Sequence, residues 1–177
     1  MKQANLRLVV IIFAGLAVPA GFAQGQYRSL PSSAKIILRQ VADIHGEAGP
    51  FAVAGYRMGE RALRELRLSS GSFSLEVLHK TPFKVQWSCV ADGVQAATGV
   101  SVGKLNLWLE KAPVQDTRTI IINRKTGKEL VFRLQPQFVK RFLNLPENEL
   151  GAAGREVLSL SDSQIFSVVT KNQSDNK

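Results

Sequence analysis

The chain has a single cysteine, Cys89, and two histidines, His45 and His79. Asp92 follows Cys89 at a spacing that places both on one face of a helix. His45 and Glu47 lie in the glycine-broken stretch HGEAGP. Thiolate, imidazole and carboxylate groups bind divalent metals, and a thiol beside an imidazole is also the usual form of a cysteine nucleophile. The sequence therefore predicts a metal site with His45, Glu47, Cys89 and His79 as possible ligands, or a catalytic Cys89. A third interpretation, in which Cys89 is a small buried apolar residue, stays open.

The stretch SCVADGVQAATGVSVGKLNL, residues 88–107, must position most of these groups. Ser88 is a typical N-cap, so a helix beginning there would hold Cys89 in its first turn, where the helix dipole favours thiolate. Thr98-Gly99 would end this helix. A turn at Gly103 would then lead into a strand with Lys104 and Asn106 on the same side. The pattern predicts that thiol, carboxylate, ammonium and amide converge.

Helical and strand periodicities alternate in blocks along the rest of the chain. Helices are predicted over 34–44, 51–67 (with Pro50 at the first position), 136–145 and 149–158, and Ser161 is predicted to cap a last short helix burying Ile165 and Phe166. Strands are predicted over 73–78 and 105–109, the second with one buried face, and over 119–122 and 129–134, which form a hairpin around Gly127. The order predicts an α+β fold, with N-terminal helices packed on a mostly antiparallel sheet and further helices at the C-terminus.

The N-terminus has the three parts of a secretory signal over residues 1–23. Lys2 and Arg7 precede a short apolar run, and small residues end at Ala23. We expect residues 24–33 to be a flexible lead-in, 34–170 the domain and 171–177 a polar tail. No later segment is apolar enough to span a membrane. The mature protein is expected to be exported, most simply to a bacterial periplasm.

Composition excludes several classes of function. The chain has 23 Lys and Arg against 14 Asp and Glu, a net charge of +9, but the cations are scattered and predict no nucleic-acid binding. GVSVGK does not match a phosphate-binding loop, because the glycine spacing is short and Leu105 follows the lysine. One cysteine permits no internal disulfide, so the core must hold the fold.

Four segments together resemble the FmdE family of formylmethanofuran dehydrogenase subunits, whose members are also called FwdE. IHGEAGPFAVAGYRMGERALRELRL is similar to its opening motif, in which His-Gly-His-x-Cys-Pro-Gly leads into a helix with Arg-Met-Gly. SCVADGVQAATGVSVGKLNL resembles its second motif, Cys-x-x-Asp-x-x-Gln-x-x-Thr-Gly-Cys-Thr-x-Gly-Lys-x-Asn. The hairpin INRKTGKELVFRL and the ending LSDSQIFSVV also resemble the family. The resemblance covers roughly residues 35–170.

The resemblance implies a domain like the catalytic domain of glyceraldehyde-3-phosphate dehydrogenase, commonly a homodimer, with a metal site usually assigned to zinc. His45 and Cys89 match metal-site positions, and further motif positions are matched by Asp92, Gln95, Thr98, Gly99, Gly103, Lys104 and Asn106. Asp92, Gln95, Lys104 and Asn106 are the implied ligand-binding residues. Glu47 replaces the second histidine, and Gly49 and Val100 replace cysteines.

The expected function is an exported FmdE-like protein that binds a divalent metal, such as zinc, or a small metal-bearing ligand in the cleft between the two motifs. The first alternative is a thiol-dependent enzyme using Cys89. The second is a metal-free interaction module that kept only the fold.

Overall fold

The computed structural model describes residues 32–172. The predicted signal 1–23 lies outside the described residues, as do most of the lead-in and of the tail. The helices are α1 Ser32–His45, α2 Pro50–Leu66, α3 Val85–Thr98, α4 Pro136–Phe142, α5 Glu147–Val157 and α6 Asp162–Ile165. The strands are β1 Leu75–Thr81, β2 Leu107–Lys111, β3 Arg118–Asn123, β4 Lys128–Leu134 and β5 Phe166–Lys171.

The strands form one five-stranded sheet in the order β2-β1-β3-β4-β5. Neighbouring strands are antiparallel except β1 and β2, which run parallel. The inner face of the sheet contributes Leu75, Val77, Ile121, Leu130 and Phe132 to a core shared with the helices. The predicted α+β fold with a mostly antiparallel sheet is confirmed.

Helices α2 and α3 cross in backbone contact at the centre of the helical layer. Two glycines make this approach possible: a Cβ added at Gly55 would lie 2.0 Å from the carbonyl oxygen of Val90, and one at Gly93 would lie 1.8 Å from that of Ala52. Neither distance is compatible with a side chain. The crossing therefore fixes how the start of α2 faces α3.

Local signals placed several elements correctly. α2 begins at Pro50, with Gly49 as its N-cap. The β3–β4 hairpin turns at Gly127, whose φ is +69°. Ser161 and Gln164 form a capping box at the start of α6. Gly99 ends α3 in the left-handed conformation, as its position after Thr98 predicted.

Three predictions about elements were wrong. α3 begins at Val85 after an extended Lys84, so Ser88 lies inside the helix, where its hydroxyl donates to the carbonyls of Lys84 and Val85. Lys104 belongs to a short 3₁₀ turn, Val102–Lys104, and β2 begins only at Leu107. β2 is an edge strand, with Leu109 44% exposed, so the predicted buried face is absent. Residues 166–171, not predicted as a strand, form β5.

Candidate functional site

His45, the last residue of α1, is paired with Asp92 of α3. Its Nδ1–H donates to Asp92 Oδ2 over 2.7 Å. This hydrogen bond raises the pKa of His45 above its ordinary value of 6.5; burial opposes the rise, and the charges of Asp92 and Glu47 add to it. Because Nδ1 is committed to Asp92, Nε2 is the imidazole nitrogen that is left for another partner. No described residue bonds to it.

Cys89 is a buried thiol in the second turn of α3. Its side chain is 7% exposed, and its Sγ–H donates to the carbonyl oxygen of Gln86 over 3.2 Å. Burial raises the pKa of Cys89 to about 12, and the charge of Asp92 adds to the rise. The predicted first-turn position with a favoured thiolate is therefore wrong, because the helix begins four residues earlier than expected.

His45 and Cys89 line one cavity of about 270 Å³ between the corner that follows α1 and the start of α3. Apolar side chains form most of its wall: Pro50, Phe51, Val85, Leu145 and Leu150. Gln86 supplies a further polar group. A concave, mainly apolar pocket with a few polar groups is the common form of a small-ligand site. We call this cavity the cleft.

Two of the proposed metal ligands lie elsewhere. Glu47 is exposed, and its carboxylate lies over Gly151 of α5, with Oε1 2.9 Å from where a Cβ would stand. His79 is 1% exposed inside the sheet, where Nε2–H donates to the carbonyl of Trp87 and Nδ1 accepts from Thr119. Burial lowers the pKa of His79 to about 4, so it is neutral.

Donor count decides what the cleft can hold. Within residues 32–172, no group of three or more His, Cys, Asp and Glu side chains is arranged to hold a metal ion. Zinc centres normally use three or four protein ligands. The side chains present therefore do not fit a resident zinc ion held by this chain alone.

The remaining motif residues stand at the far end of α3. Lys104 Nζ donates to the carbonyl of Gly99 over 2.8 Å. Asn106, 1% exposed, accepts from the backbone of Ser101 and donates to the carbonyl of Leu75. These contacts lie roughly 15 Å along α3 from Cys89, at 1.5 Å per residue. The structure does not bring Lys104 and Asn106 together with the thiol; they brace the connection from α3 to β2. Gln95 is half-buried on α3 and does not line the cleft.

Sequence reasoning missed the residue that secures the far side of the helical layer. Arg57 of α2 donates to the carbonyls of Val157, Leu158 and Leu160, which lie at and beyond the end of α5, and to the Asp162 carboxylate over 2.6 Å. The Arg-Met-Gly motif was the available signal. It places a cation where a helix C-terminus needs hydrogen-bond donors.

Comparison with known proteins agrees with this architecture. Residues 44–167 match the family model described as FmdE, molybdenum formylmethanofuran dehydrogenase operon. A similar solved structure is a tungsten formylmethanofuran dehydrogenase FmdE-like protein from Syntrophus aciditrophicus, at 17% identity and a TM-score of 0.53. The match covers 78% of this chain and 72% of that one. No curated protein matches the chain. No helix within residues 32–172 has the length and hydropathy needed to cross a membrane.

Proposed function

From the premise that the chain belongs to the FmdE family, we propose that it is an exported binding protein whose cleft holds a small metal-bearing ligand. One observation carries this proposal: His45 and Cys89 line the same cavity, while Asp92 occupies Nδ1 and leaves Nε2 for the ligand. A carboxylate commonly orients a metal-binding histidine in this way and fixes its tautomer. The proposal includes export after cleavage of residues 1–23 and assembly as a homodimer.

The donor set favours a metal that arrives as part of a ligand over a bare ion. His45 Nε2 and Cys89 Sγ are two donors, and a divalent metal takes four or more. The ligand's own atoms would fill the remaining positions. The apolar wall formed by Phe51, Leu145 and Leu150 suits the organic part of such a ligand.

Protonation controls this mode of binding. Coordination requires a thiolate and a neutral imidazole, so binding releases the Cys89 proton. Since the pKa of Cys89 is raised to about 12, affinity should increase with pH across the neutral range. Since the pKa of His45 is raised above 6.5, affinity should fall more steeply when the pH drops through that raised value.

A thiol-dependent enzyme has less support from this geometry. Activated cysteines have lowered pKa values and a base in hydrogen-bond reach. Cys89 has a raised pKa and bonds to a main-chain carbonyl. A metal-free role is favoured by one observation, the largely apolar wall of the cleft, which would also accept a small organic molecule without a metal.

The test uses two probes on the purified chain. Nickel nitrilotriacetate leaves two coordination positions open, matching the two donors, and zinc ion alone offers all of its positions. We expect calorimetry to show one equivalent of the nickel chelate bound more tightly than zinc. His45→Ala and Cys89→Ser should each weaken chelate binding at least about tenfold, the loss of one charge-assisted contact. Asp43→Ala, at an exposed residue paired with Arg39, is the matched control.

The outcomes separate the candidates. Tight, stoichiometric binding of zinc alone would replace the proposal with a resident metal site. Chelate binding that both variants leave unchanged would remove the cleft donors from the function. Elemental analysis of protein taken from its native compartment should find metal below one equivalent after dialysis and near one equivalent before it.

A further inference from the structure

The face of the sheet opposite the helices carries a continuous apolar row. The strand register aligns one residue from each strand across all five: Trp108, Leu78, Ile120, Val131 and Val169. We call this side the outer face and these five residues the apolar row. Trp108 is 45% exposed and Val169 58%, and the three central residues are half-buried by their neighbours in the sheet.

The described helices do not cover this row. Partly buried side chains that pack against the core come from the helices, their connections and the inner face, and none of the five belongs to that group. The strands alternate strictly, with Leu75, Val77, Thr119 and Ile121 buried on the inner side. An apolar strip across an entire sheet is unusual on a surface that only water contacts.

Charged rows flank the apolar row on its two sides. On one side the register places Lys80 beside Arg118 and Glu110, and Arg133 follows on β4. On the other side it aligns Glu76, Ile122, Glu129 and Lys171. The first row has a surplus of positive charge, and the second holds two carboxylates. We call them the basic row and the acidic row.

We propose that the outer face is the contact surface of a homodimer, in which two copies pack face to face about a two-fold axis lying along the apolar row. A rotation about that axis stacks each apolar row on its counterpart. It also lays each basic row over the acidic row of the second copy. Lys80 then faces Glu76 of the second copy, and Arg133 faces its Glu129.

The alternative face-to-face arrangement has its axis along the strands. It would lay basic row on basic row and place Lys80 opposite Arg133 of the second copy, so like charges would repel. Within one copy the carboxylates already have partners, Arg124 for Glu76 at 2.6 Å and Lys171 for Glu129 at 3.8 Å. The dimer would extend these pairs into networks across the interface.

The size of the face suits a dimer. Five strands about 4.8 Å apart and about six residues long give a face of roughly 24 Å by 20 Å. Two copies would bury about 1,000 Å², which reaches the lower limit for a specific interface. Sheets that pack face to face in this way lie nearly aligned, as in sandwich folds. The inference concerns assembly and is independent of what the cleft binds.

Sedimentation equilibrium tests the dimer directly, with the N-terminus of the purified chain defined by mass spectrometry. We expect wild type to be dimeric at about 0.1 mM, and Ile120→Lys, at the centre of the row, to weaken the dimer by about a hundredfold. Val102→Lys is the matched control, because Val102 is an equally apolar residue, 66% exposed, in the turn before β2. Circular dichroism must show both variants folded.

A charge swap tests the direction of the axis. Under the proposed axis, Arg133→Glu places carboxylate against Glu129 of the second copy and should weaken the dimer about tenfold, and adding Glu129→Arg should restore it. Under the alternative axis, Arg133→Glu would strengthen the dimer. Strengthening would overturn the proposed geometry even if Ile120→Lys does not fold.

Two further results would overturn the dimer itself. One is a wild-type chain that stays monomeric at about 0.1 mM. The other is a monomer in which hydrogen exchange of β3 is slowed only when residues 1–31 are present, since the chain's own N-terminal segment would then occupy the outer face.

Discussion

The reactivity of Cys89 follows from its burial and can be worked out before it is measured. Its pKa of about 12 is three units above the ordinary 9.0 for a thiol, so near pH 8 the folded protein holds about a thousandfold less thiolate. Thiolates of higher pKa are intrinsically better nucleophiles, by about twentyfold over three units. The net expectation is alkylation about fifty-fold slower in folded than in urea-unfolded protein, and the 7% exposure of Cys89 slows it further.

The assay is the pH dependence of iodoacetamide labelling, followed by mass spectrometry in native buffer and in urea. Asp92→Asn is an informative variant, because the charge of Asp92 raises the pKa of Cys89, and its removal should speed labelling of the folded protein. Cys89→Ser sets the background. A folded-state rate within a few-fold of the unfolded rate, or a labelling midpoint near pH 7, would refute the reasoning and revive the thiol-dependent enzyme.

Three further outcomes are expected. Gly93→Ala should cost more than about 3 kcal/mol in urea unfolding or prevent folding, because its Cβ would lie 1.8 Å from a carbonyl oxygen of α2; Gly103→Ala, which meets no atom closer than 4.0 Å, should change stability by less than about 0.5 kcal/mol. His79 binds its proton near pH 6.5 when unfolded and only near pH 4 when folded, so its contribution is complete above 6.5 and declines as pH falls towards 4, by up to about 3 kcal/mol in urea titrations. Gly49→Cys should give the cleft a third donor and raise zinc affinity at least about tenfold by calorimetry, since the nearest side-chain atom to a Cβ there is 3.9 Å away.

The parts of the fold that were predictable are those set by neighbouring residues. Pro50 at a helix start, Gly127 in a two-strand turn and Ser161 with Gln164 each act within four residues, and each was read correctly. β5 is different, because its residues become a strand by pairing with β4, as Val169 does with Val131. Such pairing depends on a distant partner and leaves little local pattern.

The start of α3 shows how one boundary changes the predicted chemistry. Ser88 is a good N-cap by type, but Pro82 ends the preceding strand early enough for Val85 to begin the helix. Trp87, buried and 5.6 Å from the ring of Phe51, then secures the first turn. The shift moves Cys89 away from the helix N-terminus, and with it the expected thiolate.

The acid that meets His45 was also decided by packing. Glu47 is two residues away in sequence, yet Asp92 makes the contact, because the approach at Gly93 brings the middle of α3 into the helical layer while Glu47 turns outward over Gly151. Sequence proximity therefore named the wrong carboxylate for the histidine. The spacing of Asp92 from Cys89 placed both on one side of α3, as predicted.

The two positions where the resemblance expected cysteine have different structural roles. Gly49 lines the cleft beside His45 and Cys89, so a side chain there would reach the two donors. Val100 is 1% exposed beyond the end of α3, in the core, and does not line the cleft. Losing a sulfur at position 100 costs the cleft nothing in this fold, whereas glycine at position 49 removes a third donor and enlarges the cavity at the same point. A cleft with fewer donors and more room is suited to a ligand that brings its own coordinating atoms.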